Sequence, residues 1–252
     1  MHVNAALDRK AQGFFMQTSF AMTSQPMTEP MARPATLRLW RAFAPLDMDI
    51  RARALRSGGV DAAKKGDAFQ AQGEIAVVLE GCLLLTVDQS PLCAGVAGAG
   101  DLVDLGGGAS GRWIAAGEIY RASLKTFLDD AGDAGLRFLL LAAERRRQAA
   151  DARLACAMAH PAVARVASLL LEIDAVCDGS DVPLCQSDIA AMLALRRTSV
   201  NAACQTLRRA GAIRTIRGRT IVLDRQKLSE AACCSLSHDS FPNGAAGDGS
   251  AA

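Results

Sequence analysis

The stretch that decides the fold is Leu184-Cys185-Gln186-Ser187-Asp188-Ile189-Ala190-Ala191-Met192-Leu193-Ala194-Leu195-Arg196-Arg197-Thr198-Ser199-Val200-Asn201, continued by Leu207-Arg208-Arg209-Ala210-Gly211. Ile189 and Leu193 are four apart, a spacing that sets two apolar side chains on one helical face. Leu195 follows a tight turn. A second helix is predicted to begin near Arg196 and to bury Val200, Ala203, Cys204 and Leu207. Two short helices joined by a turn, with a small residue (Ala190) where they touch, make a helix-turn-helix. Gly211 supplies the stop. Ala212 to Leu223 then predicts a hairpin turning at Arg217-Gly218. Ile213, Ile216, Ile221 and Leu223 are expected to pack inward, with Arg217 and Arg219 at the tip.

The residue types at the start of the second helix suit base reading. Arg196, Arg197, Thr198 and Ser199 fall in its first turn, and Asn201 lies one turn on. Arg bonds two acceptors on guanine, Asn reads adenine, and hydroxyls reach phosphate or base. A helix N-terminus also favours phosphate. Gln186, opening the first helix, joins these as a candidate DNA contact, with Arg217 and Arg219 on the wing.

Charge supports the same segment. The chain of 252 residues carries a net charge of +2. Residues 184–227 hold nine basic side chains against two acids, a local +7, so the rest of the chain is −5. A basic block inside a near-neutral protein points to a polyanion partner for that block. A solvated surface on a small structural α/β subdomain is the bland alternative.

Upstream, the pattern changes twice. Between Val60 and Ile119 glycine is dense and apolar runs are short: Ile75–Leu79, Cys82–Leu85, Leu102-Val103 and Trp113-Ile114. Turn signals such as Gly66-Asp67, Gly73-Glu74, Glu80-Gly81, Gly100-Asp101 and Gly106-Gly107-Gly108 separate them. Evenly spaced short strands with such turns predict an antiparallel barrel or roll. One or two short helices are expected before it, carrying Leu37, Leu39, Trp40, Phe43, Ile50 and Leu55. Asp133 to Met158 reads as a long helix, with Leu136, Leu140, Ala143, Arg147, Ala150, Leu154 and Ala157 at heptad spacing. That stripe, rich in Ala, suits a dimer seam helped by neighbours; a monomeric core helix is the alternative. His160-Pro161 ends the helix, with His160 expected to cap the next one, and 162–176 forms another with Val163, Val166, Leu169, Leu170 and Ile173 on one face.

These residues resemble the CRP/FNR family of bacterial transcription regulators. The resemblance is densest over residues 160–234, in the stretch quoted first and the wing Arg217-Gly218-Arg219. It extends upstream through Gly66-Asp67-Ala68-Phe69-Gln70-Ala71-Gln72-Gly73-Glu74, Val78-Leu79-Glu80-Gly81 and Gly100-Asp101-Leu102-Val103, which are similar to the family's cyclic-nucleotide-type β-roll. It implies an α+β chain. A leader over 1–33 is expected to be disordered. A degenerate cyclic-nucleotide-binding-like antiparallel β-roll follows over 34–132, and a long dimerisation helix over 133–158. A C-terminal winged helix-turn-helix DNA-binding domain spans 159–235, and a disordered tail 236–252. The implied partners are double-stranded DNA, a second copy of the chain in a homodimer, and RNA polymerase.

By position, Arg197 stands where the family has its first base-reading Arg. Thr198 falls where many members have Glu, and Ala202 where many have a second Arg, so a different operator is implied. Ala194 takes the place of a common turn Gly. In the roll, Asp101 to Trp113 lacks the Gly-Glu of cyclic-nucleotide binders, and Arg112 is followed by Trp113. Asp104 and Arg112 are the candidate remnant ligand pair. The effector is therefore not expected to be cyclic AMP.

Other chemistry is thin. Three histidines, His2, His160 and His238, give no spacing for a triad or structural zinc. Cys233, Cys234 and His238 lack a fourth ligand nearby. An iron–sulfur centre of the family's kind needs a cysteine cluster in the leader, and residues 1–33 contain none. No cofactor and no enzymatic activity are expected. The eight cysteines make no C-x-x-C pair and read as reduced thiols; Cys185 and Cys204 are expected to pack in the subdomain core, with thiol redox sensing beside the arginines as the alternative. With no membrane-length apolar run and no signal-peptide core, a cytoplasmic protein is expected. The competing reading is a ligand-binding or protein-interaction module whose helix-turn-helix is architectural.

Overall fold

The computed structural model describes residues 34–87, 90–177, 184–216 and 219–233. The expected disordered leader and tail, the turn Asp178-Gly179-Ser180, and Arg217 and Gly218 lie outside the described residues.

Two short helices, α1 (Pro34–Ala42) and α2 (Met48–Ala54), precede six strands: β1 (Gly59–Ala63), β2 (Ala68–Ala71), β3 (Glu74–Thr86), β4 (Cys93–Ala97), β5 (Leu102–Leu105) and β6 (Ala109–Ser123). All pairings are antiparallel, in the order β1-β6-β3-β4, with β2 also on β6 and β5 also on β3. The runs at 75–79 and 82–85, read as two strands around a Glu80-Gly81 turn, belong to one strand. Register shifts at 78–83 bend it instead of reversing it. Gly81 and Gly117 permit that bend. A Cβ on Gly117 would lie 2.0 Å from the Glu80 carbonyl oxygen, and one on Gly81 2.4 Å from that of Ala116.

The bulge also changes which residues face which core. Before it, Ile75, Val77 and Leu79 point outward to α1 and the long helix, in a core centred on Phe43, Phe127 and Phe138. Ala76 and Val78 point into the roll, with Phe69, Val103 and Trp113. After it, Leu83 points inward, while Cys82 and Leu84 point outward. An extra residue in a strand of period two flips every later side chain to the other face. Both faces of each half are buried, so each half of β3 reads as a continuous apolar run. Phe43, fully buried, stacks at ring-centroid distances of 5.6 Å on Phe127 and 5.2 Å on Phe138. Truncating a ring so placed to Ala costs about 3–5 kcal/mol.

Helix α3 (Leu124–Ala159) starts on Ser123, whose hydroxyl accepts from the Thr126 N–H at 3.5 Å. It breaks at Gly132, where φ is 55° and ψ −142°, values outside the helical region. The sequence reading placed no helix over 124–131; Phe127 and Ala131 of this first segment pack under the roll. The second segment carries the heptad stripe. His160 is the C-cap of α3, its N–H donating to the Cys156 carbonyl at 3.1 Å, and the N-cap position of the following helix, expected for His160, is held by Pro161.

The C-terminal domain runs α4 (Ala162–Val176), α5 (Gln186–Met192), α6 (Arg197–Arg209), β7 (Ile213–Ile216), β8 (Arg219–Val222) and α7 (Arg225–Ala231). Val166, Leu169, Leu170 and Ile173 of α4 form its centre. That centre continues into the roll through Cys82, Leu84, Val96 and Ile114, so one apolar core spans both domains. Buried charge ties the junction. Glu172 of α4 pairs with Arg153 of α3 and accepts from the Val96 N–H of β4 at 3.3 Å. Within the C-terminal domain, buried Asp174 pairs with the exposed Arg225 of α7 at 2.5 Å.

Candidate nucleic-acid interface

Helix α5 is held at its start by Asp188, whose carboxylate accepts from the Cys185 backbone N–H at 3.0 Å. Burial raises the carboxyl pKa, but hydrogen bonds from Cys185 and the Arg112 guanidinium outweigh it, leaving Asp188 below its ordinary value. Ile189 and Ala190 are buried. The chain then turns at Ala194, the one non-glycine residue of positive φ (50°) among the described residues. A Cβ in that region costs roughly 1–2 kcal/mol. The turn is overdetermined: the Leu195 N–H donates to Ala190 O at 2.9 Å, and Arg165 of α4 donates to Leu193 O at 2.6 Å.

Helix α6 is two-faced. Val200, Ala203, Cys204 and Leu207 are buried, as their spacing predicted. On the opposite side Arg196, Arg197, Thr198 and Asn201 are exposed and Ser199 half-buried; Gln186, at the start of α5, is half-buried. Arg196 occupies the N-cap with an extended backbone and makes no side-chain cap, as a side chain with no acceptor must. The Ser199 N–H donates to the Arg196 carbonyl at 2.9 Å, the Arg196 side chain caps none of the first-turn N–H groups, and the exposed side chains of Arg196 and Arg197 belong to the same turn. That is the arrangement an anionic ligand fits. Gln205, half-buried one turn beyond Asn201, was missed; the spacing 197, 201, 205 was the available signal.

The wing corrects the sequence reading. Ile213 pairs with Val222, Arg214 with Ile221, Thr215 with Thr220 and Ile216 with Arg219. Ile213 and Thr220 are buried, whereas Ile216 and Leu223 are exposed. Residues 213 and 216 cannot share a face in a strand of period two. The outward face is instead Arg214, Ile216, Arg219 and Ile221, which adds Arg214 to the expected Arg219. Arg196, Arg197, Arg214 and Arg219 enter no ion pair among the described residues.

The candidate ligand pair in the roll is not brought together. Asp104 sits opposite Ala76 and Arg112 opposite Leu84, on either side of the bend in β3. Asp104 is buried against Arg146 of α3, which also donates to Val103 O at 2.9 Å. Burial raises the Asp104 carboxyl, while the N–H groups of Leu105, Gly106 and Gly108 and the Arg146 guanidinium pull the other way. Arg112 is exposed and acts on Asp188 of α5. The two residues followed one another across a glycine loop, and the strand register sends them to different neighbours. Cys204 packs in the core, and burial raises its thiol pKa despite Arg208. No group of three or more metal-ligating side chains occurs among the described residues, and no helix there is long and apolar enough to cross a membrane.

Residues 164–231 match the family model of the Crp-like helix-turn-helix domain. The C-terminal domain is a Crp-like helix-turn-helix domain. Similar solved structures extend the likeness to the roll and long helix. FixK2 from Bradyrhizobium japonicum superposes with a TM-score of 0.57 at 17% identity, over 70% of this chain and 98% of that one. A protein of the CRP/FNR family from Eubacterium rectale gives 0.62 at 14%, over 77% and 98%. A CRP-family transcriptional regulator from Thermus thermophilus gives 0.57 at 18%, over 70% and 98%. No curated protein matches the chain. The Crp-like domain thus sits at the end of a chain with the CRP/FNR fold: antiparallel roll, long helix, winged helix-turn-helix.

Proposed function

We propose that this protein is a sequence-specific, DNA-binding transcription regulator that works as a homodimer, with α6 in the major groove and the β7–β8 hairpin on the flanking backbone. The observation that carries this is the division of α6. Val200, Ala203, Cys204 and Leu207 are withdrawn into the core, leaving Ala202 as the one exposed apolar residue of the helix. Arg196, Arg197, Thr198 and Asn201 are exposed at its N-terminal end with Ser199 half-buried among them, and Arg214 and Arg219 are exposed on the wing. Phosphate contacts from the wing set register and salt sensitivity; base contacts from Arg197, Thr198 and Asn201 set sequence.

Helix α3 supports the dimer. Phe138, Leu139 and Ala142 pack on the roll, whereas Leu136, Leu140, Ala143, Arg147, Ala150, Leu154 and Ala157 are all exposed. The heptad stripe is therefore a second face left open along the helix. A second copy of α3 covers it, and two reading helices then meet half-sites about one DNA turn apart. Selection of bound duplexes from a random pool, followed by gel shift in rising salt, tests the proposal. A two-fold repeated motif is expected. Equal binding to all duplexes, or none at low salt, overturns it.

A further inference from the structure

Two thiols meet where the long helix gives way to the Crp-like domain. Cys156 lies in the last turns of α3, and Cys233 directly follows α7. They are 77 residues apart in sequence, yet their Sγ atoms are 2.9 Å apart. That is within about 1 Å of a disulfide bond length. The half-buried Cys233 is held there by Ser168 of α4. The Ser168 Oγ lies 3.3 Å from its Sγ and donates to its carbonyl oxygen at 3.5 Å.

We propose that Cys156 and Cys233 form a reversible disulfide that clamps the Crp-like domain to α3. The bond would cross the His160–Pro161 joint and enclose the whole reading domain between two attachments to the same helix. Other thiols are poorly suited. Burial pushes Cys93 up to about 12. The contact with Cys177, together with burial, holds Cys82 far above its ordinary range. Arg153 acts on both Cys93 and Cys156, so what sets the Cys156–Cys233 pair apart is geometry: the 2.9 Å approach of its sulfurs and the half-buried, reachable Cys233.

The chemistry closes with a hydroperoxide as oxidant. The more accessible Cys233 sulfur attacks the peroxide oxygen, the O–O bond breaks, an alcohol or water leaves, and Cys233 becomes a sulfenic acid. The Cys156 thiolate then attacks that sulfur, the S–S bond forms, and hydroxide leaves as water after taking a proton. Two electrons and two thiol hydrogens pass to the peroxide. A dithiol reductant reverses the step by exchange.

The test uses the full-length reduced protein and dilute hydrogen peroxide, and needs no DNA. Peptide mapping after alkylation is expected to show a 156–233 cross-link, about 2 Da lighter than the two thiol peptides and reversed by dithiothreitol. Cys156→Ser and Cys233→Ser, each folded by circular dichroism, must both abolish it. Hydrogen exchange should slow at least tenfold in the last turn of α3 on oxidation, and remain unchanged in Cys233→Ser. A Cys233–Cys234 bond, an intermolecular bond, or sulfenic acid without a cross-link overturns the disulfide. A cross-link with unaltered exchange overturns the clamp.

Discussion

Replacing Arg219 by Gln removes one charge from the wing while leaving a hydrogen-bonding side chain of similar reach. Arg219 is exposed, opposite Ile216, on the same face as Arg214, and has no acidic partner among the described residues. A phosphate contact from such a group releases about 0.9 counterion from duplex DNA. A homodimer presents the residue twice, so the slope of log affinity against log salt should flatten by about 1.8. At roughly 0.1 M salt that is a loss of about 60-fold, or ~2.4 kcal/mol, shrinking to about ninefold near 0.3 M. Fluorescence anisotropy at several salt concentrations in that range measures both numbers. The loss should be the same on the selected site and on unrelated duplex, because phosphate carries no sequence. A slope lowered by only ~0.9 would mean one contact per complex and would refute the dimer. An unchanged slope would refute the placement of the wing on the backbone.

Four further outcomes are expected. Arg197→Ala should weaken binding to the selected site by about 1–3 kcal/mol and relax one base position in a repeat selection; uniform weakening on every duplex would move Arg197 off the bases. Glu172→Leu should cost about 3–5 kcal/mol in urea unfolding by stranding Arg153, and adding Arg153→Met should recover most of it. Strict additivity of those two changes would show that the pair is not coupled. Thr220→Val should gain about 1 kcal/mol, because the Thr220 hydroxyl is buried without a partner, and a lower urea midpoint would contradict this. Asp188 is ionised more readily in the fold than in the unfolded chain, so its contribution is present above the ordinary carboxylate range and lost as acid protonates it in the fold. Wild-type protein should therefore exceed Asp188→Asn in stability by about 1 kcal/mol near pH 6 and converge with it near pH 2; a gap that widened on acidification would reverse the sign.

What the sequence showed and hid follows from the range of each signal. Helix α6 was legible because Val200, Ala203, Cys204 and Leu207 are buried by a single local period that no distant residue alters. The wing was misread where two periods compete: residues 213 and 216 share a helical face but alternate in a strand. The roll's turns were marked by glycine. The phase change inside β3 was not, because outward residues on both sides of the bulge are apolar and buried by different partners. Asp104 was read as a ligand candidate paired with Arg112, whereas the guanidinium that acts on it, Arg146, lies 42 positions away on a helix read for its heptad stripe alone. The cysteine pair across the α3–α4 joint was invisible for the same reason. Only folding brings a helix end and the far side of another domain to the same place.

The core shared between the roll and the Crp-like domain has a consequence for anyone exchanging parts between regulators of this architecture. Cys82, Leu84, Val96 and Ile114 lie under α4 of the reading domain. A hybrid that grafted foreign reading helices after residue 160 would inherit a receptor surface shaped for a different plug. Those four positions belong with the donor module, and a graft that ignores them should aggregate or melt early even with its operator contacts intact.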